Sequence, residues 1–347
     1  MTKQKQKQQP KQRKKVAPET VIEKVPSRPF FGHLDMPVIP FADRFVHPAI
    51  EKLGLMMAKY QIVGSNARSI AIINGVLEWI ETAERSQLMT SLNHQINYIS
   101  SCRHLGISVG NTVRFIKNVI DKHSKLYSKP DMIESLVNYK ENRIYKAIDH
   151  IAFQMNSYLT ETDTVLVFGK SSTILAVLKT AKFKNFKVLV INSPPLNEGI
   201  SMKKSLDELS IVNELVDVSS IPSAMDIATK VLLGAHAMLS NGSLVSRIGT
   251  GSVALIAKNK QIPVIVCCET HKFSEKILLD GTSWNELTSL DLIASHVEKK
   301  PFGLLNVLYD IVPAHLLSMI CCDIGCIPPT SIPVAIREDR QMMLQYE

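Results

Sequence analysis

The chain is 347 residues long and 45% apolar, with a formal net charge of +8. That length holds two domains with sizeable cores, and no stretch approaches the roughly 18 consecutive apolar residues of a membrane span. The charge resembles a nucleic-acid signal, yet Lys3, Lys5, Lys7, Lys11, Arg13, Lys14 and Lys15 supply nearly all of it and no acid stands among residues 1–15, so the near-neutral remainder argues against specific nucleic-acid recognition by the folded body.

In chain order, residues 1–28 read as a disordered arm, a Lys/Gln run too polar to fold alone. Such an arm either touches RNA, ribosomes or acidic partners electrostatically or serves only as a solubilising tail. It has no apolar h-region, so it is no signal peptide. Pro18, Pro26, Pro29, Pro37 and Pro40 make residues 16–45 an extended lead-in.

A helical domain is predicted over residues 29–158. Ile70, Ile73, Leu77 and Ile80 recur at helical spacing, with Ala71, Val76 and Trp79 widening the stripe. Residues 109–120 read as another helix, and Ile144, Ile148, Ile151 and Met155 mark a later one. Past residue 158 the pattern changes. Residues 164–169 and 186–192 are predicted buried strands flanking a helix over 172–181. Further strands at 214–218, 235–239 and 262–267 follow at helix-length intervals. This predicts an α/β protein in which the helical domain precedes a Rossmann-like domain over 159–340, its largely parallel sheet flanked by helices, with 341–347 a short tail. Ligand sites then belong at the carboxyl ends of the strands.

Six cysteines without a secretion signal point to reduced thiols in the cytosol. Cys267 and Cys268 are neighbours on a strand and face opposite ways, so they do not share a metal. Cys321, Cys322 and Cys326 are expected on or just after a C-terminal helix, without the paired spacing of structural zinc. No metal or cofactor is predicted.

The most informative stretch covers residues 237–267. It reads as strand, polar glycine-rich loop, helix and second strand, a single βαβ unit. Asn241, Gly242, Ser243, Ser246, Gly249, Thr250, Gly251 and Ser252 can bring backbone N–H groups and hydroxyls close to an anion. Thr250 suits the N-cap of the following helix, whose positive end favours phosphate. Alternatively, these small residues only make a tight crossover. Phe168-Gly-Lys-Ser-Ser172 tempts a P-loop reading, but position 164 is Thr where a Walker loop needs Gly. A turn into a helix capped by Ser171 or Ser172 is the better reading. His236 reads more readily as a hydrogen-bonded structural histidine than as a base. No Ser/His/Asp or paired-carboxylate spacing stands out.

At this point the residues resemble a known group. Residues 241–250 (NGSLVSRIGT) and 263–273 (PVIVCCETHKF) are similar to the regulatory subunits of eukaryotic translation initiation factor 2B. Isomerases acting on methylthioribose 1-phosphate and ribose 1,5-bisphosphate share the outline. Tyr309-Asp-Ile-Val-Pro313 resembles the Asp-x-Thr-Pro element of the superfamily, with Val312 in place of Thr. The likeness covers roughly residues 45–337. Among the alpha, beta and delta subunits the delta pattern fits best, on residues 47–55 (HPAIEKLGL), 62–68 (IVGSNAR), Gly234-Ala-His236 and 267–273. The basic arm is delta-like too, although shorter than usual for that subunit.

The resemblance has direct implications for chemistry. The isomerases carry a catalytic Cys after the first strand of the α/β domain, in His-Cys-Asn, where this chain has Phe168-Gly169-Lys170. Their catalytic Asp follows Gly-Ala, where this chain has His236. Acid/base isomerisation needs a proton donor and acceptor over adjacent sugar carbons, and that pair is missing. The Arg that grips substrate phosphate is replaced near Ser65-Asn66. A degenerate pocket is therefore expected from Gly169, Ser171, Ser172, His236, Asn241, Gly242, Ser246, Arg247, Gly249 and Thr250, with no catalytic residue. Ser65, Asn66 and Arg68 are expected at a partner surface. The resemblance also implies a cytosolic, non-catalytic scaffolding subunit with alpha, beta, gamma and epsilon partners. Nucleotide exchange on initiation factor 2 would reside in epsilon, and this chain would help sense the phosphorylated alpha subunit of that factor. The remaining alternatives are a sugar-phosphate isomerase and a subunit that senses a sugar phosphate or nucleotide without turnover.

Overall fold

The computed structural model describes residues 33–34, 39–126, 128–182, 185–282, 284–289, 292 and 306–345; the basic arm of residues 1–28 lies outside them. The N-terminal part is helical: α1 (Pro48–Ala58), α2 (Ser65–Thr82), α3 (Leu88–Cys102), α4 (Ile107–Leu126) and α5 (Lys129–Tyr139) lead through a π-helical turn (Lys140–Tyr145) into α6 (Lys146–Met155). Local chemistry sets the starts. Pro48 opens α1 behind His47, whose side chain accepts from the amide of Ala49, and Ser128 with Asp131 forms a capping box on α5. Helices α1 to α5 share one core, to which α2 gives Ile72, Ile73, Val76, Trp79 and Ile80, while α6 packs Ile151, Ala152 and Met155 onto the sheet. Ile70 and Leu77, expected in that stripe, pack at its margin.

The α/β part follows as β1 (Thr164–Phe168), α7 (Ser172–Thr180), β2 (Lys187–Ile191), α8 (Glu198–Glu208), β3 (Asn213–Val216), α9 (Ile221–Met225) and β4 (Lys230–Gly234). Next come β5 (Ala237–Leu239), β6 (Leu244–Arg247), α10 (Thr250–Asn259), β7 (Val264–Cys267) and β8 (Phe273–Ser274). The chain closes with β9 (Tyr309–Val312), β10 (Met319–Cys322), β11 (Gly325–Ile327) and α11 (Ile332–Gln345). The main sheet has the order β11-β10-β7-β4-β1-β2-β3 and is parallel except for β11. Both of its faces are covered, as parallel sheets require. Leu166 and Phe168 enter one core while Val165 and Val167 enter the other. Cys267 and Cys268 divide between the same two cores, as their adjacency predicts.

Two sequence expectations are corrected. The strand expected at residues 235–239 is β5, and it does not belong to the main sheet. β4 runs in the main sheet as far as Gly234, and β5 starts a second sheet of order β8-β5-β6-β9. Only Ala235-His236 separates the two strands within one largely apolar run, so periodicity could not find the joint. The loop expected after that strand therefore contains β6, antiparallel to β5, and the single βαβ unit becomes β4, a β5–β6 hairpin, α10 and β7. Likewise Cys321 and Cys322 lie on β10 and Cys326 on β11, rather than at a helix. The Asp323-Ile324 turn folds this segment back before a helix could form.

Candidate functional site

Most of the expected pocket residues stand about the carboxyl ends of β1 and β4, and the helical part packs over them. Ser171 caps α7, its Oγ accepting the amide of Ile174 at 3.3 Å. Ser172 Oγ accepts from Asn66 Nδ2 at 3.3 Å. Gly169 turns the chain with its own amide donated to the Ile191 carbonyl. Ser246 Oγ donates to the Gly234 carbonyl at 2.9 Å, tying the second sheet to the end of β4. Asn241 and Gly242 do not join this group. They form the far tip of the β5–β6 hairpin, where Asn241 Oδ1 accepts the amide of Ser243 and Gly242 lies against Pro329.

The helix N-terminus expected to cradle an anion already holds one. The amides of Gly249 and Gly251 donate to Oδ2 of Asp310, at 2.7 and 2.9 Å. Asp310 is the acid of the Tyr-Asp-Ile-Val-Pro element on β9. Burial raises its pKa, while the two amides pull the other way. Gly249, not Thr250, occupies the cap position, in a left-handed conformation at φ +97°. The Thr250 hydroxyl instead donates to the Arg247 carbonyl at 2.6 Å. A Cβ at residue 249 would stand 2.8 Å from the Phe168 ring, so the aromatic fills the space beside the cradle.

His236 is 6% exposed. Its Nε2 accepts the backbone amide of Ile107 at 3.2 Å, which puts the neutral ring's proton on Nδ1. Burial, then the charges of Arg68, Arg247 and Lys272, hold its pKa well below the usual histidine value. The ring packs 4.3 Å from that of Tyr309 and stacks with Trp284. Gly106 permits the approach, because a Cβ there would meet the imidazole at 2.7 Å. This histidine is neutral, packed and committed to a backbone donor, so it offers no free lone pair to a substrate proton.

A buried ionic network surrounds it. Glu286 takes Arg103 Nε at 2.5 Å and faces Arg68 at 3.7 Å, all three side chains being 1% exposed. Arg68 also donates to the His104 carbonyl, and burial, then Arg103, lower its pKa. Arg103 lies over the Tyr60 ring. Arg247 forms a two-pronged pair with Glu198 at 2.6 and 3.0 Å. Burial opposes the Arg247 charge, yet Tyr309 and Glu198 raise its pKa.

Ser65, Asn66 and Arg68, expected at a partner surface, begin α2 and point inward, with exposures of 8%, 4% and 1%. Arg68 turns in toward Glu286, and Asn66 toward Glu269. Asn66 Nδ2 and the Thr173 hydroxyl both donate to Oε1 of Glu269, at 2.7 and 2.6 Å, while Lys272 pairs with Oε2 at 2.6 Å. Burial disfavours the Glu269 charge, but Lys272 and His271 outweigh it and hold the pKa at about 2. His271 shares Asn66 through Nε2 at 3.2 Å, and burial pushes its pKa down to about 3. The Glu-Thr-His-Lys run is thus the clasp between the two parts of the chain. Nothing in the sequence gives Glu269, Arg103, Glu286 or Asp310 these roles, because no local spacing marks groups that meet across roughly 60 to 200 residues.

Comparison with known proteins agrees with this architecture. Residues 61–329 match the model of the initiation factor 2 subunit family. The chain is 36% identical to the delta subunit of translation initiation factor eIF2B of Schizosaccharomyces pombe, over 86% of this chain and 70% of that one. It is 30% identical to the Dictyostelium discoideum delta subunit, again over 86% of this chain but only 52% of that longer protein. A ribose 1,5-bisphosphate isomerase of Methanocaldococcus jannaschii is 28% identical over 67% of this chain and 75% of its own. Among solved structures, the tetrameric eIF2B beta2-delta2 complex from C. thermophilum matches with a TM-score of 0.76 and 26% identity, over 85% of this chain and 97% of that one.

Proposed function

The chain belongs to the initiation factor 2 subunit family, and from that premise we propose that it is a non-catalytic regulatory and scaffolding subunit of the exchange factor for translation initiation factor 2. It assembles with alpha, beta, gamma and epsilon subunits in the cytosol. It helps sense the phosphorylated alpha subunit of initiation factor 2, and the exchange reaction belongs to another subunit.

One observation carries the non-catalytic part of this reading. The two positions at which the related isomerases keep their acid/base pair offer no usable group here. His236, at the position of an acid/base carboxylate, is bound to Ile107, and Gly169 supplies no side chain at the other. Isomerisation requires a poised donor and acceptor, and neither is available. The delta subunits among its relatives and the beta2-delta2 complex among its structural neighbours support the regulatory part. Incubating the pure protein with methylthioribose 1-phosphate or ribose 1,5-bisphosphate tests the reading. No turnover above a boiled control is expected, and sustained turnover would overthrow it.

A further inference from the structure

Cys267, Cys321 and Cys326 form a row across three adjacent strands. Cys321 pairs in register with Cys267 on β7 and with Cys326 on β11. Partners in register share a face of the sheet. The three positions are not equivalent. Cys267 and Cys321 are fully buried, whereas Cys326 is half-buried on the edge strand.

The antiparallel pair is the close kind. The Cys321 carbonyl accepts the amide of Cys268, so the peptide groups of Cys321 point toward β7 and away from β11. Cys321 and Cys326 are therefore a non-hydrogen-bonded pair, for which the Cα separation is about 4.5 Å, inside the range a disulfide spans. Both thiols also converge on one atom, with Sγ of Cys321 and Cys326 at 3.8 and 3.6 Å from Oε1 of Gln154 on α6. We propose that Cys321 and Cys326 are an oxidation site, closing a reversible cross-strand disulfide in response to a peroxide.

The chemistry balances with hydrogen peroxide as oxidant. The accessible Cys326 sulfur attacks one peroxide oxygen, the O–O bond breaks, and a sulfenic acid forms with release of water. The Cys321 sulfur then displaces the sulfenic hydroxyl, the S–S bond forms, and a second water leaves with the thiol proton. Two thiols and one peroxide give one disulfide and two waters, with two electrons passing from sulfur to oxygen. The accessible thiol beside a sheltered resolving thiol is the arrangement such oxidations use. Cys322, next in sequence, takes no part because its thiol turns to the other face and donates to the Gly325 carbonyl.

The test uses the full-length protein, native, with and without hydrogen peroxide. Free thiols are blocked after unfolding, and the chain is cut before aspartate, which separates Cys321 from Cys326 at Asp323. The expected product is one linked peptide pair, two hydrogens lighter than the sum of its parts, joined through Cys321 and Cys326 and released by dithiothreitol. Cys322→Ser retains the link and Cys326→Ser loses it. Linkage through Cys267 or Cys322, or oxidation of Cys326 to sulfinic acid without a link, overturns the proposal. The native protein alone gives the primary result, so the test stands even where a variant misfolds.

Discussion

The backbone amide of Ile107 sits 3.2 Å from Nε2 of His236, so the helical part of the chain takes the lone pair that a base would use. That contact ties α4 to the start of β5. Replacing His236 with Ala leaves the buried amide unpaired and opens a void beside Tyr309, and stability is expected to fall by about 2–4 kcal/mol. Urea unfolding measures this. The same variant gains no isomerase activity.

The buried carboxylate Glu286 is expected to be among the most sensitive positions. Arg103 and Arg68 both face it with their side chains sealed from water. Glu286→Gln leaves buried cations without a counter-charge and is expected to cost about 3–5 kcal/mol. Adding Arg103→Met should recover part of that loss. A double-mutant cycle in which the two changes simply add would refute the coupling.

Acid should weaken the fold in a defined order. His271, at about 3, and His236 and His104 all have folded pKa values below the ordinary histidine value of 6.5, burial being the leading cause. The unfolded chain therefore binds more protons than the folded one. Stability is complete above about pH 6.5 and is lost as the pH falls toward the folded values, at up to about 1.4 kcal/mol per pH unit for each histidine. Glu269 adds a second loss between its ordinary value of 4.5 and about 2. Urea midpoints measured from pH 7 to pH 4 should show a slope that His271→Gln reduces.

Asp310 and Gly249 test the filled cradle. Asp310→Ala frees two buried amides and is expected to cost about 1–3 kcal/mol. Sulfate should then raise the melting temperature of the variant by more than that of the parent, which gains only the general effect of an excluded salt. Gly249→Ala, at φ +97° and against Phe168, should cost about 1–3 kcal/mol through backbone strain and crowding.

Much of the fold was legible because periodicity reports burial. The strands at β1 and β2 and the helices at α2, α4 and α7 follow from apolar runs and 3.6-residue stripes. The hairpin β5–β6 escaped because Leu244-Val-Ser-Arg247 is four residues long and set among glycines and serines. The site was half legible. Gly169, Ser171, His236 and Gly249 could be singled out by motif, but their state depends on Ile107, Asp310 and Phe168, which reach them from other elements. The inward turn of Asn66 and Arg68 depends on Glu269 and Glu286, about 200 residues away, and nothing local encodes that.

The proposed regulatory role stands or falls on what the chain assembles with. Affinity purification of the tagged chain from its native cell, read by mass spectrometry, answers this. Recovery of the alpha, beta, gamma and epsilon subunits of the exchange factor, together with initiation factor 2, is expected. Recovery of the chain without any of those subunits would contradict the role.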